Sequence, residues 1–179
     1  MVQINNDARE LSIKVVYYGP ALSGKTTNLQ ALYQKMDPKV RGRLMTLDTK
    51  DDRTLFFDMM PVFFKTEAGV KVKLRIFTVP GQVIHESTRR IVLQGTDAVI
   101  FVADSQNERM DANAESIDNL QINLKAQGYD LMAIPYILQL NKRDLPNVAT
   151  VDEMAKLLRR KGEPVVEAAL DLAEKRRVL

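Results

Sequence analysis

The stretch Leu11-Ser12-Ile13-Lys14-Val15-Val16-Tyr17-Tyr18-Gly19-Pro20-Ala21-Leu22-Ser23-Gly24-Lys25-Thr26 decides the fold. Leu11, Ile13, Val15 and Tyr17 alternate with Ser12, Lys14, Val16 and Tyr18, which is the period of a strand. The strand runs into Gly-x-x-x-x-Gly-Lys-Thr, from Gly19 to Thr26. Beyond it Leu29, Leu32, Tyr33 and Met36 recur at i, i+3, i+4 and i+7, one face of a helix. Asp37-Pro38 ends that helix, because a residue before proline disfavours helical backbone. Strand, glycine loop and helix in this order make a phosphate-binding unit. Glycines let backbone N–H groups approach phosphate oxygens, and the helix N-terminus adds partial positive charge. In such a unit Lys25 reaches the β- and γ-phosphates and the Thr26 hydroxyl ligates Mg²⁺. The candidate phosphate-binding residues are Gly19, Ala21, Leu22, Ser23, Gly24, Lys25, Thr26 and Thr27.

The rest of the chain extends the alternation of strands and helices. Residues 37–54 are polar and charged and read as one long connection. Connections beyond about 12–15 residues are usually functional or mobile. Strand-like runs at 54–65 and 70–79 flank Glu67-Ala68-Gly69, a hairpin turn. A helix is expected at 83–94, with Ile84, Ile91 and Val92 inward and Gly95 as terminator. Residues 98–103 are continuously apolar, as in a strand covered on both faces. A helix at about 108–127 carries Met110, Ala114, Ile117, Leu120 and Leu124. A buried strand at 135–140, a helix at 151–161, a strand at 164–167 and a helix at 168–177 complete the pattern. The expected fold is α/β: a mostly parallel six-stranded sheet with one antiparallel edge hairpin and helices on both faces. Ligands of such sheets sit at the C-terminal ends of the strands.

Asn141-Lys142-Arg143-Asp144 follows the buried strand at 135–140 and has the pattern NKxD. The Asp144 carboxylate suits the N1–H and 2-amino donors of guanine, a pair that adenine lacks. Asn141 is placed to hold the base edge and the phosphate loop, and the Lys142 stem to lie over the purine face. The nucleotide is therefore read as GTP or GDP rather than ATP.

These motifs together resemble the Ras-like small GTPases. Thr78-Val79-Pro80-Gly81-Gln82 sits where that family usually has Asp-x-x-Gly-Gln, and residues 52–58 (Asp-Arg-Thr-Leu-Phe-Phe-Asp) occupy the first switch region. With Tyr17-Tyr18-Gly19-Pro20 and Phe101-Val102-Ala103-Asp104-Ser105, they resemble the MglA group of bacterial gliding-motility and polarity GTPases. The likeness runs from about residue 3 to Ala168. It implies a P-loop NTPase of the Ras-like kind that binds Mg²⁺ and GTP and hydrolyses the nucleotide slowly. It also implies stimulation by a Roadblock-domain activator of the MglB type, and cytoskeletal or motility effectors.

Read chemically, the Thr54 hydroxyl completes the Mg²⁺ shell beside Thr26, and the Gly81 N–H serves the γ-phosphate. Gln82 orients the attacking water, and Arg53 acts as an arginine finger from the same chain, worth about 10³–10⁵ in rate. Thr78 is neutral where the family usually carries a carboxylate that holds Mg²⁺ through water. The MglA group shares this substitution. Asp58 is a substitute carboxylate or a surface strand residue. His85 is a titrating group or an exposed helix residue. Met59-Met60-Pro61 and Phe63-Phe64 are core or a switchable partner surface. Glu167 and Ala168 take the place of the family's Ser-Ala-Lys at the last base-contacting loop. Only 169–179 follow, where the family has a longer loop and helix. A scaffold that binds GTP with little or no hydrolysis is the alternative.

Composition agrees with these motifs. The sequence has 179 residues, no cysteine and one histidine. That length suits one domain, 1–179, with a core large enough to need no disulfide or metal staple. Zero cysteine excludes zinc ribbons, iron–sulfur clusters, thiol catalysis and prenylation. Lys+Arg 26 against Asp+Glu 23 gives +3, and the basic clusters are dispersed, which reads as solvated surface rather than a nucleic-acid face. Val at position 2 excludes myristoylation, and the polar N-terminus is no signal peptide. The chain is expected to be cytoplasmic, without a lipid anchor and monomeric alone, and the resemblance to the MglA group implies recruitment to a cell pole.

Overall fold

The computed structural model describes residues 2–48, 56–81, 86–160 and 162–169. The backbone follows β1 (Gln3–Asn5), β2 (Glu10–Tyr18), α1 (Lys25–Lys35), β3 (Met45–Asp48), β4 (Phe56–Lys65) and β5 (Lys71–Thr78). It continues with α2 (Glu86–Leu93), β6 (Ala98–Asp104), a 3-10 turn (Asn107–Arg109) and α3 (Met110–Lys125). β7 (Tyr136–Asn141), α4 (Val151–Leu158) and β8 (Val165–Glu167) follow. The strands lie in the order β3-β4-β5-β2-β6-β7-β8, with β1 paired to β2. β2 pairs in parallel with β5 and β6, β6 with β7, and β7 with β8. β4 runs antiparallel to β5, as the hairpin reading expects.

All six expected strands are present, and two short ones extend the sheet. β3 lies inside the stretch read as a connection, and pairs antiparallel with β4. β1 pairs antiparallel with the start of β2. Both are edge segments of three or four residues, ordered by a neighbour's free hydrogen-bonding groups rather than by their own pattern. The hairpin turn closes with Gly69 at φ 79 and its N–H donating to Thr66. Ala168 and Ala169 are not helical, and the remainder of the helix expected at 168–177 lies outside the described residues.

Alternation along the strands divides the core in two. Tyr17, Met60, Val62, Ile76 and Val102 point to one face and meet Leu29 of α1, with Leu32, Tyr33 and Met36 packed beside them. Val16, Tyr18, Phe101, Leu138 and Leu140 point to the other face. There they meet Val92 and Leu93 of α2, Ile117, Leu120 and Leu124 of α3, and Met154 and Leu158 of α4. Ile91, expected to face inward, is 47% exposed. α2 turns Val92 and Leu93 to the sheet, and a helix this short buries one stripe. Phe63 and Phe64 are both half-exposed, whereas Met60 is fully buried. α4 starts in a capping box, where Thr150 and Glu153 satisfy each other's backbone N–H.

Phe101 is wholly inaccessible at the middle of the sheet. Phe101→Ala is expected to lower unfolding free energy by about 3–5 kcal/mol, read as a fall in the urea midpoint at unchanged slope.

Among the described residues no helix is long and apolar enough to cross a membrane. β2 occupies the sheet centre, and the chain leaves it toward β3, β4 and β5 before crossing back to β6. The loop after β2 therefore stands at the topological switch point, where open α/β sheets hold ligands.

Candidate nucleotide-binding site

The 19–26 loop wraps the end of β2 through three left-handed positions: Gly19 at φ 143, Leu22 at φ 64 and Gly24 at φ 96. Two of the three are glycines for steric reasons. A Cβ on Gly19 would lie 2.2 Å from the Val102 carbonyl oxygen, and one on Gly24 would lie 2.3 Å from Asn141 Nδ2. α1 then begins at Lys25 with no side chain capping its first N–H groups. Those donors are left to a ligand or to water. Ser23 is buried, whereas Leu22, Thr26 and Thr27 are exposed along the rim.

Lys25 is buried, and its ammonium donates to the Gly19 carbonyl at 2.9 Å and the Pro20 carbonyl at 2.6 Å. Burial, and then the nearby charge of Arg89, push its pKa down to about 8. A desolvated cation held on two neutral carbonyls is under-compensated. An anion at the loop would offset that cost. Gly81 packs on the loop from the end of β5, where its own Cβ would come within 2.4 Å of Ala21. Any side chain here would push the two segments apart. A cavity of about 320 Å³ opens beside this contact, lined in part by Ala21, Gly81, Arg89 and Arg109.

The loop after β7 is tied to the phosphate loop directly. Asn141 Nδ2 donates to the Ser23 carbonyl at 2.7 Å, and both residues are buried. Lys142 takes a left-handed conformation at φ 65 and donates to Asp104 Oδ2 at 2.6 Å. Arg109 makes a second tie. It lies 4.0 Å from the same carboxylate and donates to the Ala21 carbonyl at 2.9 Å. Asp144 is exposed on the rim. Glu167 and Ala168 flank the same loop: Arg143 donates to Glu167 Oε2 at 3.0 Å, and its N–H to the Ala168 carbonyl at 3.1 Å.

Asp104 and Arg109 were not picked out for this role in the sequence. The motif Phe101–Ser105 marks the end of β6, yet nothing in it signals that Asp104 faces Lys142. Nothing in the sequence marks Thr46 either. It donates to Asp58 Oδ1 at 2.8 Å, and Thr26 donates to Asp58 Oδ2 at 2.8 Å. Arg53, Thr54, Gln82 and His85 lie outside the described residues.

The glycine loop after β2, its switch-point position and the loop after β7 tied to it by Asn141 are the arrangement of a P-loop NTPase of the Ras-like kind. The chain belongs to the ADP-ribosylation factor family, whose sequence profile matches residues 2–174. It is 53% identical over 165 residues to the mutual gliding-motility protein MglA of Myxococcus xanthus (strain DK1622). That match covers 92% of this chain and 85% of the relative. ADP-ribosylation factor K of Dictyostelium discoideum is 29% identical over 59% of this chain and 51% of its own length. ADP-ribosylation factor-like protein 2 of Arabidopsis thaliana is 26% identical over 84% of this chain and 70% of its own. The chain is thus a small GTPase, a guanine-nucleotide-binding protein that hydrolyses GTP.

Proposed function

We propose that this single-domain chain is a guanine-nucleotide switch in cell polarity or gliding motility. It turns over Mg²⁺·GTP slowly until a Roadblock-domain activator accelerates it. The bond from Asn141 to Ser23 carries the nucleotide reading, because it sets the base-selecting and phosphate loops at one fixed spacing. The cellular role leans on the likeness to a protein named for gliding motility.

In this reading the backbone from Gly19 to Thr27 cradles the phosphates, and Lys25 swings from the Gly19 and Pro20 carbonyls to the β- and γ-oxygens. Gly81 offers its N–H to the γ-phosphate and releases it after hydrolysis. Asn141, Lys142 and Asp144 read the guanine, with Glu167 and Ala168 along the same edge. Arg53 and Gln82, brought in by the activator, stabilise the transition state and orient water. The donor set of Thr26 and Thr54 hydroxyls is hard oxygen and suits Mg²⁺. When bound, that ion would neutralise negative charge on the phosphates. The molecule works in the cytoplasm as a monomer, reaches a cell pole through partners, and hands its state to cytoskeletal or motility effectors.

Two measurements test this. Asp144→Ala removes the acceptor of two guanine donors, each charge-assisted bond being worth about 1.5–3 kcal/mol. GDP affinity is expected to fall by at least about 100-fold in competition titrations, while ADP affinity stays where it was. Single-turnover GTP hydrolysis with a Roadblock-domain protein added is expected to outpace that of the chain alone. Equal rates would remove the activator from the account.

A further inference from the structure

Position 78 is a threonine, and the hydroxyl there cannot supply negative charge to a metal site. The sheet register supplies it from the next strand. Thr46 stands opposite Asp58 across β3 and β4, and Met59 stands opposite Phe77 across β4 and β5. Continuing that register sets Thr46, Asp58 and Thr78 side by side on the face that α1 covers. There Thr26, the first residue after the phosphate-loop lysine, reaches down to the same carboxylate.

Every hydroxyl in the group is spoken for. Thr78 Oγ1 accepts from the Asp58 N–H at 3.1 Å and donates to Asp58 Oδ2 at 3.0 Å. Thr26 donates to the same oxygen, and Thr46 to the other. Thr78 therefore orients the carboxylate instead of replacing it. Asp58 is 5% exposed, and among the described residues no lysine or arginine forms an ion pair with it. Among the described residues the side chains that donate to this buried carboxylate are the neutral hydroxyls of Thr26, Thr46 and Thr78; such burial is costly, and a nearby cation offsets that cost. Mg²⁺ fits because it keeps much of its water and takes one or two carboxylates together with substrate phosphates.

We propose that Asp58 is the carboxylate that positions the Mg²⁺ hydration shell beside Thr26, and that it does from β4 the work position 78 cannot do from β5. The inference rests on the nucleotide reading of the phosphate loop. Asp58 acts through metal-bound water and through Thr26, so it is a positioning residue. Its signature is metal affinity rather than nucleotide recognition.

The test is release of fluorescent GDP as free Mg²⁺ is titrated, for the wild type, Asp58→Asn and the exchanged pair Asp58→Thr/Thr78→Asp. The wild type is expected to retain GDP better as Mg²⁺ rises. Asp58→Asn, nearly isosteric, should need about 10–100-fold more Mg²⁺ for the same retention, the range typical of residues that orient metal ligands. Its release rate in EDTA should match the wild type. The exchanged pair should recover most of the lost Mg²⁺ affinity. An unchanged Mg²⁺ midpoint in Asp58→Asn, or no recovery in a folded exchanged pair, would overturn the assignment. Failure of the wild type itself to bind GDP would instead remove the nucleotide reading on which it rests.

Discussion

Lys25→Ala is expected to weaken GDP and GTP binding by at least about 100-fold. The ammonium is buried among carbonyls and pushed toward pKa 8 by that burial and by Arg89. Its positive charge is maintained at a desolvation cost that only an anion at the loop offsets well. Two charge-assisted contacts to phosphate oxygens, at about 1.5–3 kcal/mol each, sum to about 3–6 kcal/mol, or two to four decades in Kd. Truncation also relieves that desolvation, so the folded state should lose little. Equilibrium titration with fluorescent GDP reads the loss, and thermal unfolding of the nucleotide-free chain controls for folding. Near-wild-type affinity in a folded variant would take Lys25 out of phosphate binding.

Arg53→Ala is expected to lower activator-stimulated GTP turnover by about 10³-fold or more, the range an arginine finger supplies. Each tenfold step is about 1.4 kcal/mol of barrier, so at least about 4 kcal/mol of transition-state stabilisation goes with the side chain. Gln82→Leu should produce the same trapped GTP state by leaving the attacking water unoriented. In both variants GTP affinity should hold, since neither side chain is asked to bind the ground state. Single-turnover rates with saturating Roadblock-domain protein read the first expectation, and competition titrations the second. A GTP affinity that falls as steeply as the rate would recast both residues as binding groups.

The sequence was most informative where chemistry is local. The Gly19–Thr26 loop needs left-handed glycines and a helix start, and both are written in consecutive residues. The central strands were equally clear, because the continuously apolar run 98–103 is largely buried, with Val99, Phe101 and Ala103 on one face and Val102 on the other, and few other structures tolerate such a run. Legibility failed where order comes from a neighbour. Met45–Asp48 alternates too briefly to be distinguished from the surrounding polar segment, and it becomes a strand only against β4. Gln3–Asn5 is the same case against β2.

The site shows the same division. Lys25 and Asn141 belong to contiguous motifs, so the sequence alone marks them as candidates. Asp104 and Arg109 make contacts between loops at the C-terminal ends of the strands, and Thr46 makes one across from β3 to β4; no spacing encodes such contacts. Asp58 is intermediate. The missing charge at position 78 pointed to a substitute, but the choice between metal carboxylate and surface residue needed the register of β3, β4 and β5. Burial rules out the surface reading.

One site, made of the phosphate loop and the loop after β7, is expected to turn over GTP in preference to ATP. Phosphate release in a single turnover tests it most directly, with GTP or ATP, with and without Mg²⁺, in the wild type and Lys25→Ala. Mg²⁺-dependent release from GTP by the wild type alone, approaching one phosphate per chain, is the expected result. Equal release from ATP, or release from GTP that survives loss of Lys25, would contradict it.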